Sequence, residues 1–351
     1  MQLIESLMDR LARREPVAVV GGNTKGFLGG ALTDTPVSMS EYAGVLNYEP
    51  TELVLTAKAG TRLAEIESVL ADKGQMLPFE PPSFGEASTL GGVMASGLSG
   101  PRRVHLGSAR DAILGVRLIN GLGQHLKFGG EVMKNVAGYD ISRLSVGAYG
   151  TLGILTEISV KVLPIPEKER TQVIEGSAEA SLATLTRIGR FPYPISAATW
   201  VDGYLYVRLS GAGRGVDAAA QAIGGESLES AQAFWHSIRH QTHPAFHSDG
   251  QWLWRLSVPP MTPAGALGET VIDWAGGQRW VHCPSNETRL FATAAAHGGH
   301  ATCFARDRVE GTGMQPLEPG IQRLNERVRE AMDPHRLINR GRLDSEGSHA
   351  N

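Results

Sequence analysis

A glycine-rich stretch near the N-terminus has the composition of an anion-binding loop. It has the sequence GGNTKGFLGG at residues 21–30 and follows the short β-rich run PVAVV at residues 16–20. Successive backbone N–H groups in an irregular glycine-rich turn can point into one concave site and bind an anion. Asn23 suits such a turn, because asparagine adopts left-handed conformations more readily than most residues with a side chain. The stretch matches neither the GxxxxGK[ST] phosphate loop nor the GxGxxG dinucleotide fingerprint.

A second stretch, STLGGVMASGLSG at residues 88–100, is built mostly from small residues. Eight of its thirteen residues are glycine, alanine or serine. It is too apolar for a flexible linker and lacks the polar face of a surface helix. Gly91 and Gly92 would let a large ligand lie against the backbone. Either stretch alone is equally well explained as a structural turn, but two of them in one domain predict a clamp around a diphosphate.

Histidines form the other group whose spacing is compatible with chemistry. His236 and His240 are four residues apart, on one face of a predicted helix, at the spacing of a pair of metal ligands. Pro244 interrupts that helix, and no acidic ligand occurs among the neighbouring histidines before Asp249. We therefore interpret the group as a solvated helix end and assign no metal. Three further histidines receive no role: His282, His297 and His300.

Hydrophobic periodicity and turn residues predict the elements that must position these stretches. An amphipathic helix opens the chain, and a second, over residues 62–74, has Thr61 as its N-cap and Gly74 as its stop. A hairpin over 195–211 turns at Asp202 and Gly203. Strands are predicted at 16–20, 36–40, 52–60, 112–120, 125–128, 152–164 and 252–260. Further helices are predicted at 215–223, 229–241 and 321–332.

Bulk composition limits the class of protein. The 351 residues are enough for two domains, and a formal net charge of -3 gives no reason to expect nucleic acid or an anionic membrane as the main partner. The two cysteines, Cys283 and Cys303, are too few for a disulfide framework, so a reducing compartment is expected. No segment approaches the roughly 20 consecutive apolar residues of a membrane span. We therefore expect a soluble cytoplasmic protein, and any contact with the inner membrane would be made through partners.

Several motifs, which follow one another in the order seen in that family, resemble the vanillyl-alcohol-oxidase (PCMH-type) FAD-binding family. The resemblance is dense over residues 16–166 and weak over the last thirty, and the 2-hydroxy-acid branch carries the paired motifs KNVAGYD and GTLGILTE. The runs LWRLSVPP at 253–260 and VIDWAGGQRW at 271–280 are similar to the smaller FAD-binding subunits of bacterial glycolate oxidases. The family motifs are GGNTKGFLGG, PPSFGEASTLGGVMASGLSG, GSARDAILGVRLINGLGQ, KNVAGYDISRLSVGAYGTLGILTEISVKVLP and MDPHRLINRGR.

The resemblance implies an α+β fold with a two-subdomain FAD-binding domain over residues 1–166. A smaller α+β cap domain would occupy 167–305, and the segment 306–351 would return to the FAD domain. The implied cofactor is FAD, bound non-covalently because the first loop contains no histidine. The implied cofactor-binding residues are Gly21, Gly22, Asn23, Thr24, Lys25, Gly26, Pro81, Thr89, Gly91, Gly92, Ala95, Ser96, Gly97, Gly153 and Ile154.

The implied reaction is oxidation of glycolate, or a similar small 2-hydroxy acid, to the 2-oxo acid. Arg255 is the candidate clamp for the substrate carboxylate, since its fork can bind a carboxylate with two hydrogen bonds, or it is a strand arginine facing solvent. Asn339 occupies the position of the family's NPG asparagine near the flavin and is the second catalytic candidate. Lys134 is a candidate at the cofactor or substrate, or an ordinary surface lysine.

The sequence departs from the family in three places and leaves alternatives open. Asn23 replaces a glycine, Tyr149 stands where much of the family has glutamate, and Arg340 replaces the proline of NPG. The implied partners are a larger flavin-binding subunit and an iron–sulfur subunit, since two cysteines cannot hold a cluster. Two other functions stay open: an FAD-binding electron-transfer or scaffold subunit without substrate chemistry, and a free-standing flavoenzyme acting on another hydroxy acid or alcohol.

Overall fold

The computed structural model describes residues 2–130, 140–284, 289–306 and 312–343. The chain divides into two compact units. Unit 1 comprises residues 1–98, 108–164 and 307–351, and unit 2 comprises 99–107 and 165–306. The segment 99–107, which the sequence placed in the first domain, therefore clusters with unit 2. The C-terminal segment clusters with unit 1.

The described residues form both helices and strands, which confirms the predicted mixed α and β architecture. The α-helices in the described residues are α1 (Gln2–Ala12), α2 (Leu63–Ala71), α3 (Leu90–Ser96), α4 (Arg103–Leu106), α5 (Ala109–Ala112), α6 (Ile141–Ser145), α7 (Ala178–Ile188), α8 (Gly213–Ile223), α9 (Ala231–His240), α10 (Arg289–Ala296) and α11 (Pro319–Met332). The strands of unit 1 are β1 (Ala18–Val20), β2 (Pro36–Ser38), β3 (Val45–Glu49), β4 (Val54–Lys58), β5 (Gln75–Met76), β6 (Ile113–Ile119), β7 (His125–Gly129), β8 (Ile154–Lys161) and β9 (Leu163–Pro164). Those of unit 2 are β10 (Lys168–Glu175), β11 (Ile195–Val201), β12 (Tyr204–Gly211), β13 (Glu226–Ser227), β14 (Trp252–Ser257), β15 (Val271–Asp273), β16 (Gln278–Cys283) and β17 (His300–Cys303).

The described residues of unit 1 form a larger and a smaller hydrophobic core. A five-stranded antiparallel sheet of order β3-β4-β8-β6-β7 packs against α2 and α3, with Ile66, Val93 and Ile158 fully buried. A smaller core joins α1, the parallel pair β1-β2 and the C-terminal segment, whose Ile338 is also buried. The first glycine-rich stretch follows β1, and the second contains α3, whose Leu90, Val93 and Met94 belong to the larger core.

Unit 2 is built on one antiparallel sheet of order β13-β10-β12-β11-β15-β16-β14-β17. One face of the sheet is apolar and packs against α7, α8 and α10. The register places polar residues on the opposite face of successive strands, including Arg208, Thr199 and Asp273. There Thr199 donates a hydrogen bond to Asp273, and the Trp235 ring of α9 stacks 4.6 Å from the Arg208 guanidinium. One face of the sheet thus forms apolar cores with the helices, and the other carries hydrogen-bonded and charged side chains.

Local sequence signals located most elements but misassigned one cap. The hairpin between β11 and β12 turns at Asp202 and Gly203, both with positive φ, which confirms that prediction. Helix α2 begins after Arg62, not Thr61, and Arg62 provides no side-chain cap. The prediction of Thr61 as N-cap was wrong, because its hydroxyl donates to the Lys58 carbonyl and accepts from the Gly44 N–H.

In the part of the chain that the structure describes, no helix is both long and apolar enough to cross a membrane.

Candidate functional site

Unit 1 contains an open groove that brings together most of the cofactor-binding residues predicted from the sequence. The space within it, including the part open to solvent, is about 780 Å³. Thirteen of the predicted site residues line it: Gly21, Gly22, Asn23, Thr24, Lys25, Gly26, Thr89, Gly91, Gly92, Ala95, Ser96, Gly153 and Asn339. Eight residues of the lining were not predicted as part of the site: Val19, Val20, Met39, Ala59, Tyr149, Gly150, Leu155 and Arg342.

The first wall of the groove is the loop that follows β1. Asn23 has a φ of 52°, so it adopts the left-handed conformation predicted for it. A Cβ on Gly21 would lie 2.1 Å from the Thr89 hydroxyl, and one on Gly22 would lie 1.6 Å from the Ala87 carbonyl oxygen. These two glycines are therefore required by the contact of the loop with the segment before α3.

The second wall is α3, where the three glycines have different roles. Thr89 caps the helix by accepting a hydrogen bond from the Gly92 N–H. Gly97 ends the helix in the left-handed conformation, and Gly91 packs so closely on Ala59 that a Cβ would lie 2.9 Å from two of its atoms. At Gly92, by contrast, a Cβ would meet only the Thr89 hydroxyl, at 3.4 Å. Gly92 is the glycine of α3 whose missing side chain leaves room in the groove.

Lys25 connects the two walls of the groove through hydrogen bonds. It is buried, and its ammonium donates hydrogen bonds to the Ser83 carbonyl at 3.0 Å, the Ser88 hydroxyl at 2.8 Å and the Thr24 hydroxyl at 3.2 Å. Thr24 also donates to the Ser83 carbonyl, at 2.8 Å. The charge and position of Lys25 therefore hold loop 21–26 against the segment that leads into α3.

The C-terminal segment completes the groove with Asn339 and Arg342. Arg342 donates hydrogen bonds to the carbonyls of Gly26, Leu28 and Gly30, at 2.7–3.1 Å. Its side chain therefore fixes the far end of the first glycine-rich loop. Sequence reasoning missed this role, although Arg342 ends the motif MDPHRLINRGR.

Arg340 attaches the same segment elsewhere in unit 1. It forms two hydrogen bonds to the Asp34 carboxylate, at 2.5 and 2.9 Å. This contact lowers the pKa of Asp34 below its ordinary value of 3.8. The departure from the family proline thus supplies an ion pair that a proline could not make.

Asn339 joins three segments of unit 1. Its side-chain oxygen accepts a hydrogen bond from the Val19 N–H at 2.8 Å, and its amide nitrogen donates to the Tyr149 carbonyl at 3.0 Å. The residue is buried and has a φ of 47°. The geometry assigns it to holding the groove together, and a catalytic role for Asn339 stays a prediction.

Replacing Asn339 with alanine should lower the free energy of unfolding by about 1–3 kcal/mol, because two partly buried backbone groups lose their partners. FAD retention should fall with it, since β1 and the turn at Tyr149 both line the groove. Urea unfolding at neutral pH measures the first effect. Replacing exposed Asn325 with alanine is the control, and equal stability of the two variants would contradict the structural role.

Four predicted residues lie outside the groove lining. Pro81 is buried in the loop before α3, Gly97 is the C-cap of α3, and Ile154 lies in the core beneath α1. Arg255 lies on β14 of unit 2. Lys134 and most of KNVAGYD lie outside the described residues.

The histidines of α9 lie on one helix face, as their spacing predicts. The rings of His236 and His240 are 4.3 Å apart between centroids. Within the described ranges, no three His, Cys, Asp or Glu residues come together in a way that could hold a metal ion.

The groove has the properties that FAD requires. A long cofactor with a diphosphate needs a narrow cleft with small residues on both walls and positive charge nearby. The two walls supply small residues, the space at Gly92 remains open, and Lys25 and Arg342 are the cations of the lining. The described residues therefore fit FAD.

Comparison with known proteins agrees with this geometry. A family model described as an FAD binding domain matches residues 2–129. The chain is 43% identical to the glycolate oxidase subunit GlcE of Escherichia coli (strain K12) over 345 residues, which is 98% of this chain and 97% of that protein. It is 35% identical to the glycolate oxidase subunit GlcD of Bacillus subtilis (strain 168) over 127 residues, which is 36% of this chain and 27% of that subunit.

A solved structure of alkyldihydroxyacetonephosphate synthase matches with a TM-score of 0.68 and 16% identity, covering 96% of this chain and 73% of that one. At this identity the match supports the fold alone, and it confirms the predicted PCMH-type architecture. Taken with the full-length similarity to GlcE, it identifies the chain as an FAD-binding flavoprotein of the oxidoreductases that belongs to the family of the glycolate oxidase subunit GlcE.

Proposed function

We propose that the chain is the FAD-binding subunit of a glycolate oxidase or dehydrogenase, which oxidises glycolate to glyoxylate and passes the electrons to partner subunits. The observation that carries the proposal is the 43% identity to GlcE over nearly the full length of both chains. The similarity to GlcE extends through unit 2. The FAD-domain match covers residues 2–129 and therefore includes only the segment 99–107 of unit 2. A protein named as a subunit also favours a complex over a free-standing enzyme.

Residues of the groove would hold the cofactor. Backbone groups of 21–26 would bind the diphosphate, the α3 wall from Thr89 to Ser96 would contact the middle of FAD, and Gly153 would contact its adenine end. Bound FAD supplies a two-electron oxidant. The first loop contains no histidine to which a flavin could be linked covalently, so the proposed binding is reversible.

The proposed partners are a larger flavin-binding subunit and an iron–sulfur subunit. The chain has two cysteines, and they lie on β16 and β17, to either side of β14. A cluster needs about four thiolate ligands, so electrons that leave through a cluster require another chain. We place this complex in the cytoplasm, with attachment to a membrane made through its partners.

The second candidate is an FAD-binding electron-transfer subunit without substrate chemistry. One observation favours it: the described residues that line the groove include no Asp, Glu or His that could accept a proton from a substrate hydroxyl. In this case the groove binds the cofactor, and a partner subunit oxidises the substrate.

Anaerobic addition of glycolate to the purified chain distinguishes the two candidates. We expect a yellow protein whose flavin absorbance bleaches with glycolate. Acetate is the control, because it has the carboxylate but lacks the hydroxyl group, and it should leave the spectrum unchanged. A yellow protein that glycolate does not bleach would reject substrate oxidation by this chain and support the electron-transfer subunit.

A further inference from the structure

Three polar residues on β14 and β17 of the unit 2 sheet project from the same face: Arg255, Ser257 and His300. Arg255 on β14 is paired with Thr302 on β17, and Ser257 is paired with His300. Side chains of paired residues project from the same face of a sheet, and so do those two positions apart on one strand. Arg255, Ser257 and His300 therefore share a face, with Arg255 and His300 as diagonal neighbours about 7–8 Å apart at the backbone.

Aromatic residues hold the Arg255 side chain in place. Its guanidinium lies 4.9 Å from the centroid of the Phe304 ring, and Phe304 meets Trp280 edge-to-face at 4.9 Å. Both rings are buried, and Trp280 also packs edge-to-face on Phe246. A guanidinium stacked on such a surface is already oriented, so less conformational entropy is lost when its N–H groups bind an anion.

His300 is accessible to solvent. It begins β17, the edge strand of the sheet, and retains solvent exposure. Partial burial, and then the positive charge of Arg255, lower the pKa of the His300 imidazole below its ordinary value of 6.5. A neutral imidazole offers one hydrogen-bond donor and one acceptor.

We propose that Arg255, Ser257 and His300 form a binding site for the carboxylate and hydroxyl groups of a short 2-hydroxy acid. Arg255 binds the carboxylate, for which its planar fork is suited, and Ser257 and His300 hydrogen-bond to the hydroxyl oxygen. The closeness of the two groups fits an acid whose hydroxyl is on the carbon next to the carboxylate. The inference rests on the proposed function and names the residues of unit 2 that would recognise its substrate.

Calorimetric titration of the FAD-loaded chain with oxalate tests the site without turnover, because oxalate has two adjacent oxygen-bearing carbons but no hydrogen to transfer. Arg255→Gln should weaken oxalate binding by about tenfold or more, which is the usual cost of losing a charged hydrogen-bond donor. Arg255→Lys should restore part of the affinity, and His300→Asn should cause a smaller loss.

Two matched controls lie nearby. Arg170 is a strand arginine on the opposite face of the same sheet, and His297 lies in the turn before β17. Arg170→Gln and His297→Asn should bind oxalate as the parent chain does. Thermal unfolding of each variant separates loss of binding from loss of folding.

The outcomes separate this site from the proposed function. Wild-type affinity in both Arg255→Gln and His300→Asn, or no oxalate binding by the parent chain, would overturn the site. These variants could lose oxalate binding while glycolate fails to reduce the flavin of the parent chain. That result would support the site and reject the oxidation. If glycolate bleached the flavin of Arg255→Gln with the same concentration dependence as in the parent chain, the site would be rejected and the oxidation would stand.

Discussion

Replacing Gly92 with leucine should give a folded chain that retains much less FAD. A Cβ at this position makes only an ordinary contact with the Thr89 hydroxyl, so the protein itself has space for it. Leucine also has a higher helix propensity than glycine, by about 0.5–1 kcal/mol, which should keep or raise the stability of the chain without FAD. The rest of the side chain must enter the groove. Overpacking there costs about 1–3 kcal/mol, so FAD should bind about tenfold to a hundredfold more weakly.

Flavin absorbance after gel filtration measures retention, and thermal unfolding of the flavin-free chain measures stability. Gly91→Ala is the informative comparison, because its Cβ would collide with Ala59 inside the protein and should lower stability. Gly215→Ala, on α8 with open space around it, is the control that should leave FAD retention unchanged and keep or raise stability. A full complement of FAD in Gly92→Leu would show that the cofactor does not pass along α3.

Gly91 and Gly92 in α3, and Gly97 at its C-terminal end, show how far composition could locate the site. The small-residue stretch correctly pointed to close approach, and the groove lies there. Composition could not tell what approaches each residue: Gly91 packs on Ala59, Gly97 ends α3 against Gly147, and Gly92 faces open space. Such distinctions depend on tertiary contacts between residues far apart in sequence.

Residues with a local conformational signal were predictable, whereas residues acting over long sequence distances were not. Asn23 was expected in a left-handed conformation because that preference belongs to the residue itself. Arg342 contacts carbonyls more than 300 residues earlier in the chain, and no local pattern indicates such a contact. Only the strand register shows that His300 pairs with Ser257 and is a diagonal neighbour of Arg255, residues more than 40 positions earlier in the chain.

Lys25 should prove as important to the groove as Gly92, by a different mechanism. Its ammonium bonds to Thr24 on one wall and to Ser83 and Ser88 on the other, within the protein interior. Methionine has a similar length and volume but cannot donate hydrogen bonds. Lys25→Met should therefore leave the buried Ser88 hydroxyl and the partly buried oxygens of Thr24 and Ser83 without this donor, and lower the free energy of unfolding by about 2–4 kcal/mol.

The loss should be concentrated in the two loops, which distinguishes a local clamp from general destabilisation. Amide hydrogen exchange should accelerate across residues 21–27 and 83–90 in Lys25→Met, while the strands of unit 2 exchange at the parent rate. FAD should be retained at least about tenfold more weakly, because both walls must be held in position before the cofactor binds. Lys73→Met is the control, since Lys73 is exposed after α2 and should tolerate the change. Unchanged exchange in both loops with full FAD content would mean that the walls hold their positions without Lys25, and that the contacts of Arg342 and Asn339 are sufficient to shape the groove.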